Sequence, residues 1–260
     1  MRALASILAE TRTRVAHLEG RGAELANRAS AAPPGPPFLA KLAATVGVIA
    51  EVKRRSPSQG AIRPDLDAVR FARSYEQGGA AAISVLTEER HFGGSLADLQ
   101  RVAAAVSVPV LRKDFIIHDA QIHEARIAGA SAVLLIARIL EPPQMRDLAA
   151  AIRECRMTPL IEVHDAHELD AAMSAQPEVL GVNARDLDTL AMNPRRAEEI
   201  MRRVPASVTL VAESGVQSRA DVERLAACGA DVVLVGTSVA RQDDPEQAVR
   251  ALTGVKRVPR

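Results

Sequence analysis

Glu51 and Lys53 stand two residues apart at the end of an apolar run, Val48-Ile49-Ala50-Glu51-Val52-Lys53. On a β-strand an i, i+2 pair shares one face, so a carboxylate and an ammonium would point together at whatever that face meets. The same kind of ending recurs down the chain. Lys113 closes the run VPVLRK, Glu162 lies near the end of TPLIEV, Asn183 and Arg185 follow VLGV, and Glu213 with Ser214 follows VTLVA. Any one of these reads equally well as a solvated charge at a strand terminus. Five strands that all end on acid, base or amide groups describe instead a site for proton transfer to and from a small molecule. Burial in such a site perturbs each ionisation, with a sign set by the neighbours.

Two glycine-containing turns add an anion to this chemistry. Glu213-Ser214-Gly215-Val216 follows the seventh apolar run and Gly236-Thr237-Ser238 the eighth. Glycine lets backbone N–H groups approach an anion closely, and a helix N-terminus contributes positive partial charge. Either turn alone is an ordinary capped connection, but the pair, after consecutive final strands, points to a phosphate. Ser56, in the loop Ser56-Pro57-Ser58-Gln59-Gly60 beside Arg54 and Arg55, could complete the cradle from a mobile lid.

Other reactive types lead elsewhere. His164-Asp165-Ala166-His167 lacks metal-ligand spacing and reads as a strand-to-helix turn capped by Asp165. His91, His118 and His123 are isolated and suit rim or surface roles, while Cys155 and Cys228 are too far apart for a CxxC motif and read as free thiols. No metal is expected. Lys113 could alternatively form a Schiff base, as in barrel aldolases.

The elements that must position these groups repeat. The runs VIAEVK, AAISVL, VPVLRK, AVLLIA, TPLIEV, VLGVN, VTLVAE and DVVLVG alternate with helical patterns such as SLADLQRVAAAV, AQIHEARIAG, PPQMRDLAAAIREC, AHELDAAMSA, PRRAEEIMRRV and RADVERLAACG. Near-continuous apolar strands separated by crossover helices predict a parallel sheet. Eight of them, recurring to the end without a break, predict a (β/α)8 barrel of α/β class over an open doubly wound sheet. In such a barrel, catalytic groups come from the C-terminal ends of strands, where the polar residues above fall.

Residues 1–46 stand outside the repeat. They predict an amphipathic helix through LASILAETRTRVAHL, a stiff joint at PPGPP, and a short capping helix over Phe38-Leu39-Ala40-Lys41-Leu42. The organisation expected is an N-terminal helical extension at 1–46, a catalytic barrel at 47–254 and a tail at 255–260. Because the eighth unit falls close to residue 254, no fused partner enzyme is expected.

Composition excludes several classes. The chain has 260 residues, 33 basic and 32 acidic, for a net charge of +1, so no broad field attracts nucleic acid or an anionic membrane. One Tyr, four Phe and no Trp leave no base-stacking surface. Arg2, Glu10, Arg12 and Arg14 interrupt any secretory or membrane-spanning stretch, so the cytoplasm is the default location.

The stretches IAEVKRRSPSQG, ISVLTEERHFGGSLADL, PVLRKDFII, AVLLIARIL, PLIEVHD, GVNARDLDTL, VAESGV and LVGTSVA run in order from residue 49 to 240. Together they resemble the indole-3-glycerol phosphate synthases closely. That resemblance implies a (β/α)8 barrel with an added N-terminal segment, no cofactor and no metal. The implied reaction converts 1-(2-carboxyphenylamino)-1-deoxyribulose 5-phosphate into indole-3-glycerol phosphate, carbon dioxide and water. By position Lys113 resembles the family's general acid, Lys53 the partner of the substrate carboxylate and a candidate second acid, and Glu162 the general base in the loss of water.

The resemblance makes Glu51, Asn183 and Glu213 groups that orient these lysines or the substrate hydroxyls, and gives Arg185 a matching place with a less definite role. It makes Ser56, Gly215, Gly236 and Thr237 phosphate contacts, beside Ser214 of the glycine turn read above, and Phe92, Phe115, Leu134, Leu160 and Leu187 the apolar wall for the anthranilate ring. Departures are Ala184 where many relatives carry a second asparagine, His91 at a position more often aromatic or basic, and Thr237 in place of a frequent serine. Partners expected are a phosphorylated small molecule, with no nucleic acid and no membrane, in a monomer or weak homo-oligomer. Alternatives are another phosphosugar barrel, either phosphoribosylanthranilate isomerase-like or a Schiff-base aldolase, or a catalytically silent barrel that acts as a binding partner. The complete Glu/Lys/Lys/Glu set speaks against silence.

Overall fold

A computed structural model describes residues 2–39 and 44–260. Eight parallel strands close into a barrel: β1 Gly47–Val52, β2 Ala82–Leu86, β3 Val110–Lys113, β4 Ala132–Ile136, β5 Thr158–Val163, β6 Val179–Asn183, β7 Thr209–Glu213 and β8 Val232–Val235. Each strand pairs with its sequence neighbour, and β8 closes on β1 in the register Gly47↔Val232 to Ala50↔Val235. The expected (β/α)8 barrel is the observed fold.

The two faces of each strand bury different things. Outward residues such as Val48, Ala50, Ile83, Val133, Leu135, Ile161, Leu180 and Val233 pack against the surrounding helices. Inward residues Ile49, Ala82, Leu111, Ala132, Leu134, Leu160, Val179, Val211, Val232 and Leu234 fill the barrel. The strands are buried on both sides, so they are apolar almost throughout. Two residues beyond Ile49, Leu111, Leu160 and Val211, on the same inward rows, come Glu51, Lys113, Glu162 and Glu213. The period of two carries the polar residues to the C-terminal mouth.

Helices α3 Ala68–Gln77, α4 Leu96–Ala103, α5 Asp119–Ile127, α6 Pro142–Glu154, α7 Ala166–Met173, α8 Pro194–Met201 and α9 Arg219–Ala227 cross between strands, and short α10 Thr237–Ala240 and α11 Pro245–Arg250 follow β8. Their starts follow capping chemistry: Asp67, Ser95, Asp165, Asn193 and Ser218 each accept a backbone N–H three residues on.

Ahead of the proline joint the extension holds two helices where the sequence pattern predicted one, α1 Arg2–Glu19 and α2 Gly22–Ala31. Alanine-rich α2 buries only Leu25 and Ala29. Both helices pack on α5. The proline joint then passes beneath the barrel, where Arg126 donates to Ala32 O at 2.7 Å and a Cβ on Gly35 would lie 2.5 Å from Ser131 Oγ, at the start of β4. Phe38 and Leu39 form a buried bend packed against the barrel interior. The short helix expected over Phe38–Leu42 falls mostly on residues 40–43, outside the described residues. The C-terminal tail is tied to the same end: Val46 N donates to Val255 O at 2.8 Å, and Arg260 pairs with Asp231 at 3.0 Å.

Candidate active site

The mouth of the barrel opens into a cavity of about 470 Å³, within the range of sites that enclose a small molecule. Glu51, Lys53, Lys113, Glu162, Asn183 and Glu213 all line it. Lys53 Nζ donates to Glu51 Oε1 at 2.7 Å, which realises the shared strand face. Lys113 Nζ donates to Glu162 Oε2 at 2.8 Å and lies 3.2 Å from Glu213 Oε2. Asn183 Oδ1 accepts from Arg185 N at 3.0 Å and so shapes the turn after β6.

These charges sit in little water. The side chains of Glu51, Glu162 and Glu213 are 1–2% exposed. Burial alone would push Lys113 down, but Glu162, Glu213 and Glu51 outweigh it and hold the ammonium above the ordinary lysine value. Burial opposes the Glu162 carboxylate too, yet Lys113 and His164 keep it well below the usual range. For Glu213, burial pushes upward, Lys113 opposes, and the neighbouring Glu162 charge raises it further. Two buried acids around one ammonium are thus pushed in opposite directions, Glu162 toward the ionised form and Glu213 toward the protonated one.

Space for both carboxylates is left by glycine. A Cβ on Gly181 would stand 2.2 Å from Glu213 Oε1, and one on Gly236 would stand 2.4 Å from Glu51 Oε1. Gly236 therefore serves the Glu51–Lys53 pair as well as the turn where the sequence placed it.

Two walls of different chemistry face each other across the lysines. Ser56, Ser214, Gly215, Gly236 and Thr237 lie on one. Ser214 and Gly215 adopt left-handed φ values of 68° and 86°, costly by about 1 kcal/mol or more for the serine. Ser238 Oγ donates to Val216 O at 2.9 Å and binds the two turns together. Arg54 makes no part of this wall, because its guanidinium is committed to Asp98 at 2.6 Å and to Gly93 O at 3.0 Å. Exposed Arg241, which the sequence reading did not single out, lines the cavity beside Ser238.

The other wall is apolar. Phe92 and Phe115 lie 6.3 Å apart between ring centres, with Leu134 and Leu187 nearby on the lining. Leu160 is the exception among the expected residues: it is fully buried and lies below the cavity instead of on it. It precedes Glu162 by two residues on the same face, which sets it about 6.6 Å deeper in the barrel. The wall is completed by Leu4 and Ile7 of α1, whose i, i+3 spacing was legible as an apolar stripe but whose destination was not. Arg14 secures that helix by donating to both oxygens of Asp114 at 3.0 Å. Arg185, also on the lining, donates Nη1 to Leu190 O at 2.9 Å and steadies the loop that carries Leu187.

Asp165 caps α7 as expected, accepting from Glu168 N at 2.9 Å. His164 was passed over with the other histidines, yet it is fully buried with Nε2 3.2 Å from Glu162 Oε1. Its i, i+2 relation to Glu162 is the spacing that singled out Glu51 and Lys53. Among the described residues Glu10, Glu88 and His91 approach closely enough to share a cation. Glu88 already accepts the backbone N–H groups of Arg90, His91 and Phe92, and Glu10 pairs with Arg90 at 2.7 Å, so this cluster holds its own loop.

Among solved structures, the 3-hexulose-6-phosphate synthase of Salmonella typhimurium superposes with a TM-score of 0.65 at 17% identity, over 80% of this chain and 96% of that one. At that identity the likeness establishes the class alone, a (β/α)8 barrel. The family model of indole-3-glycerol phosphate synthase matches residues 4–252. The indole-3-glycerol phosphate synthase of a Nocardioides species is 50% identical over 224 residues, 86% of each chain, and that of Mycolicibacterium smegmatis is 49% identical over 230 residues, 88% of this chain and 85% of the relative. The chain belongs to the indole-3-glycerol phosphate synthase family, carboxy-lyases of tryptophan biosynthesis. No helix among the described residues is long and apolar enough to cross a membrane.

Proposed function

We propose that the cavity carries out the family's reaction, closing, decarboxylating and dehydrating 1-(2-carboxyphenylamino)-1-deoxyribulose 5-phosphate to indole-3-glycerol phosphate. The observation that carries this reading is Lys113, an ammonium clamped by Glu162 and Glu213 between an apolar wall and a glycine-and-hydroxyl wall. The anthranilate ring lies along Phe92, Phe115, Leu134, Leu187, Leu4 and Ile7. The phosphate takes the opposite wall, held by Ser56, Thr237 and the turns at Ser214-Gly215 and Gly236, with Arg241 at its edge.

The aromatic carbon that bears the carboxylate attacks the ketone, a carbon–carbon bond forms, and Lys113 delivers a proton to the carbonyl oxygen. A fixed ammonium at that oxygen stabilises charge where it develops. Lys53, oriented by Glu51, pairs with the substrate carboxylate until it departs as carbon dioxide and the ring regains aromaticity. Glu162 then takes a C–H proton from the carbon next to the one that bears the new hydroxyl while Lys53 protonates that hydroxyl, which leaves as water as the ring double bond forms; Asn183 and Glu213 orient the lysine and the sugar hydroxyls. Each of these steps is a bond change or proton transfer within reach of side chains, so the reading calls for no cofactor and no metal. A Schiff base on Lys113 fits poorly, because a nucleophilic lysine needs a lowered pKa and this one is raised.

On this reading residues 1–46 form an extension that lends Leu4 and Ile7 to the site, 47–254 the catalytic barrel and 255–260 a tail. The expected assembly is a monomer or weak homo-oligomer. A small soluble substrate suits the cytoplasm and leaves no part for nucleic acid or membrane. The test is to mix purified protein with the substrate and follow indole fluorescence against a Trp-free background. Growth of that signal supports the proposal, and none at high enzyme concentration sinks it. Borohydride trapping of substrate on Lys113 would transfer support to the aldolase reading.

A further inference from the structure

His164 lies outside the cavity lining, yet it controls the far side of a group that lines it. Its Nε2 is 3.2 Å from Glu162 Oε1, the oxygen that does not meet Lys113. Its Nδ1 is 3.1 Å from Glu168 Oε2, and the same oxygen accepts the His164 backbone N–H at 2.6 Å. Glu168 is anchored in turn, since its Oε1 accepts from Arg138 Nε at 2.5 Å while Arg138 also reaches Asp165, Asp186 and Asp188 at 3.2 Å each. The charged groups around the ring are therefore Glu162 from β5 and Glu168 from α7. Arg138 stands behind Glu168, and Lys113 and Glu213 stand behind Glu162.

A ring enclosed by two carboxylates is held as a cation. Burial opposes its charge, but Glu162 and Glu168 outweigh burial and raise His164 to about 9. The two acids that share Lys113 are thus not equivalent. Glu162 has cations at both oxygens, Lys113 at one and His164 at the other. Glu213 has only Lys113 as a cation, and its Oε1 lies over Gly181 of β6, a residue with no side chain to offer.

We propose that His164 is a positioning residue that, clamped by Glu168, makes Glu162 and not Glu213 the ionised member of the acid pair facing Lys113. The assignment of Glu162 as base in the proposed reaction rests on this device. His164 itself touches neither the cavity nor, on this geometry, the substrate.

The first test needs no variant and no substrate. Nitrogen-15 NMR of the histidine rings in the intact protein should show His164 protonated on both nitrogens at neutral pH, and a neutral ring there overturns the proposal. The second follows the glutamate carboxyl carbons by NMR titration, with Glu162→Gln and Glu213→Gln for assignment. In the wild type the two carboxyls titrate widely apart. In His164→Asn, or His164→Gln should the first fold poorly, they should draw together by about one pH unit or more. An unchanged separation in a folded variant overturns the proposal whether or not the protein turns over substrate. If the protein is active, kcat of the variant should fall about tenfold or more and the acid limb of its pH profile should move upward, with KM changed less. A merely structural histidine would leave the titration and the profile where they are. If the carboxyls shift but no indole forms in the wild type, the assigned reaction fails while the role of His164 stands.

Discussion

Strand β3 places two charge clusters back to back. On its outward face Arg112 is 2% exposed and donates to Thr87 Oγ1 at 3.1 Å, Gln121 O at 2.6 Å and Asp114 Oδ2 at 3.1 Å. Asp114 receives further bonds from Thr87 Oγ1 at 2.7 Å, Phe115 N at 2.8 Å and Arg14 at 3.0 Å. On the inward face, one residue along, Lys113 meets Glu162 and Glu213. There Glu51 Oε2 and both oxygens of Glu213 lack an aligned hydrogen bond although they are buried. The outward cluster of Arg112, Thr87, Asp114 and Arg14 leaves only Arg14 Nε among its buried side-chain atoms without a partner and holds structure. The inward one keeps buried acceptors unspent, which costs stability and leaves sites that a ligand can satisfy.

The comparison breaks first at Lys113. Lys113→Met should lower kcat by about 10²-fold to 10⁴-fold in the indole fluorescence assay, with binding of the product largely kept. A loss below about tenfold would remove the lysine from the acid role.

The outward cluster should respond in the opposite sense. Arg112→Met should cost about 3 kcal/mol of stability in urea unfolding at neutral pH and leave kcat per folded molecule near wild type. Burial opposes ionisation of Asp114, but Arg112 and Arg14 outweigh it and hold the carboxyl below the ordinary aspartate range. A folded value below the unfolded one gives stability that is present above about pH 4 and lost as pH falls toward the folded value. The gap between Arg112→Met and wild type should therefore be widest near neutral and narrow on acidification. A gap that widens in acid would show that Arg112 does not act through Asp114.

A smaller effect should sharpen the contrast within the inward cluster. Gly181→Ala drives a methyl against Glu213 Oε1 and should lower kcat by about 10-fold to 100-fold through misplacement of that carboxylate. The thermal midpoint should change less than for Arg112→Met, since the shift disturbs the 3.2 Å contact of Glu213 with Lys113 and leaves the Arg112–Asp114 network intact. A variant that loses its fold instead would make Glu213 a structural acid like Asp114.

Much of this was legible in the chain. Eight apolar runs with crossover helices determine a barrel, because strands buried on both faces cannot alternate and parallel pairing requires a covered return. The period of two determines that Glu51 and Lys53 share a face, and barrel closure brings Lys113, Glu162, Asn183 and Glu213 to the same mouth. Tertiary structure alone decided what surrounds them. The depth of Leu160, the second helix of the extension, the arrival of Leu4 and Ile7 at the ring wall and the service of Gly181 and Gly236 to buried carboxylates depend on contacts between distant segments. So does the difference between Lys113 and its neighbour Arg112. Local sequence sets which way a side chain points, but its charge state follows from partners 49 and 100 residues away, Glu162 for Lys113 and Arg14 for Asp114. Ionisation responds to dielectric and distance in space, and the barrel alone fixes both.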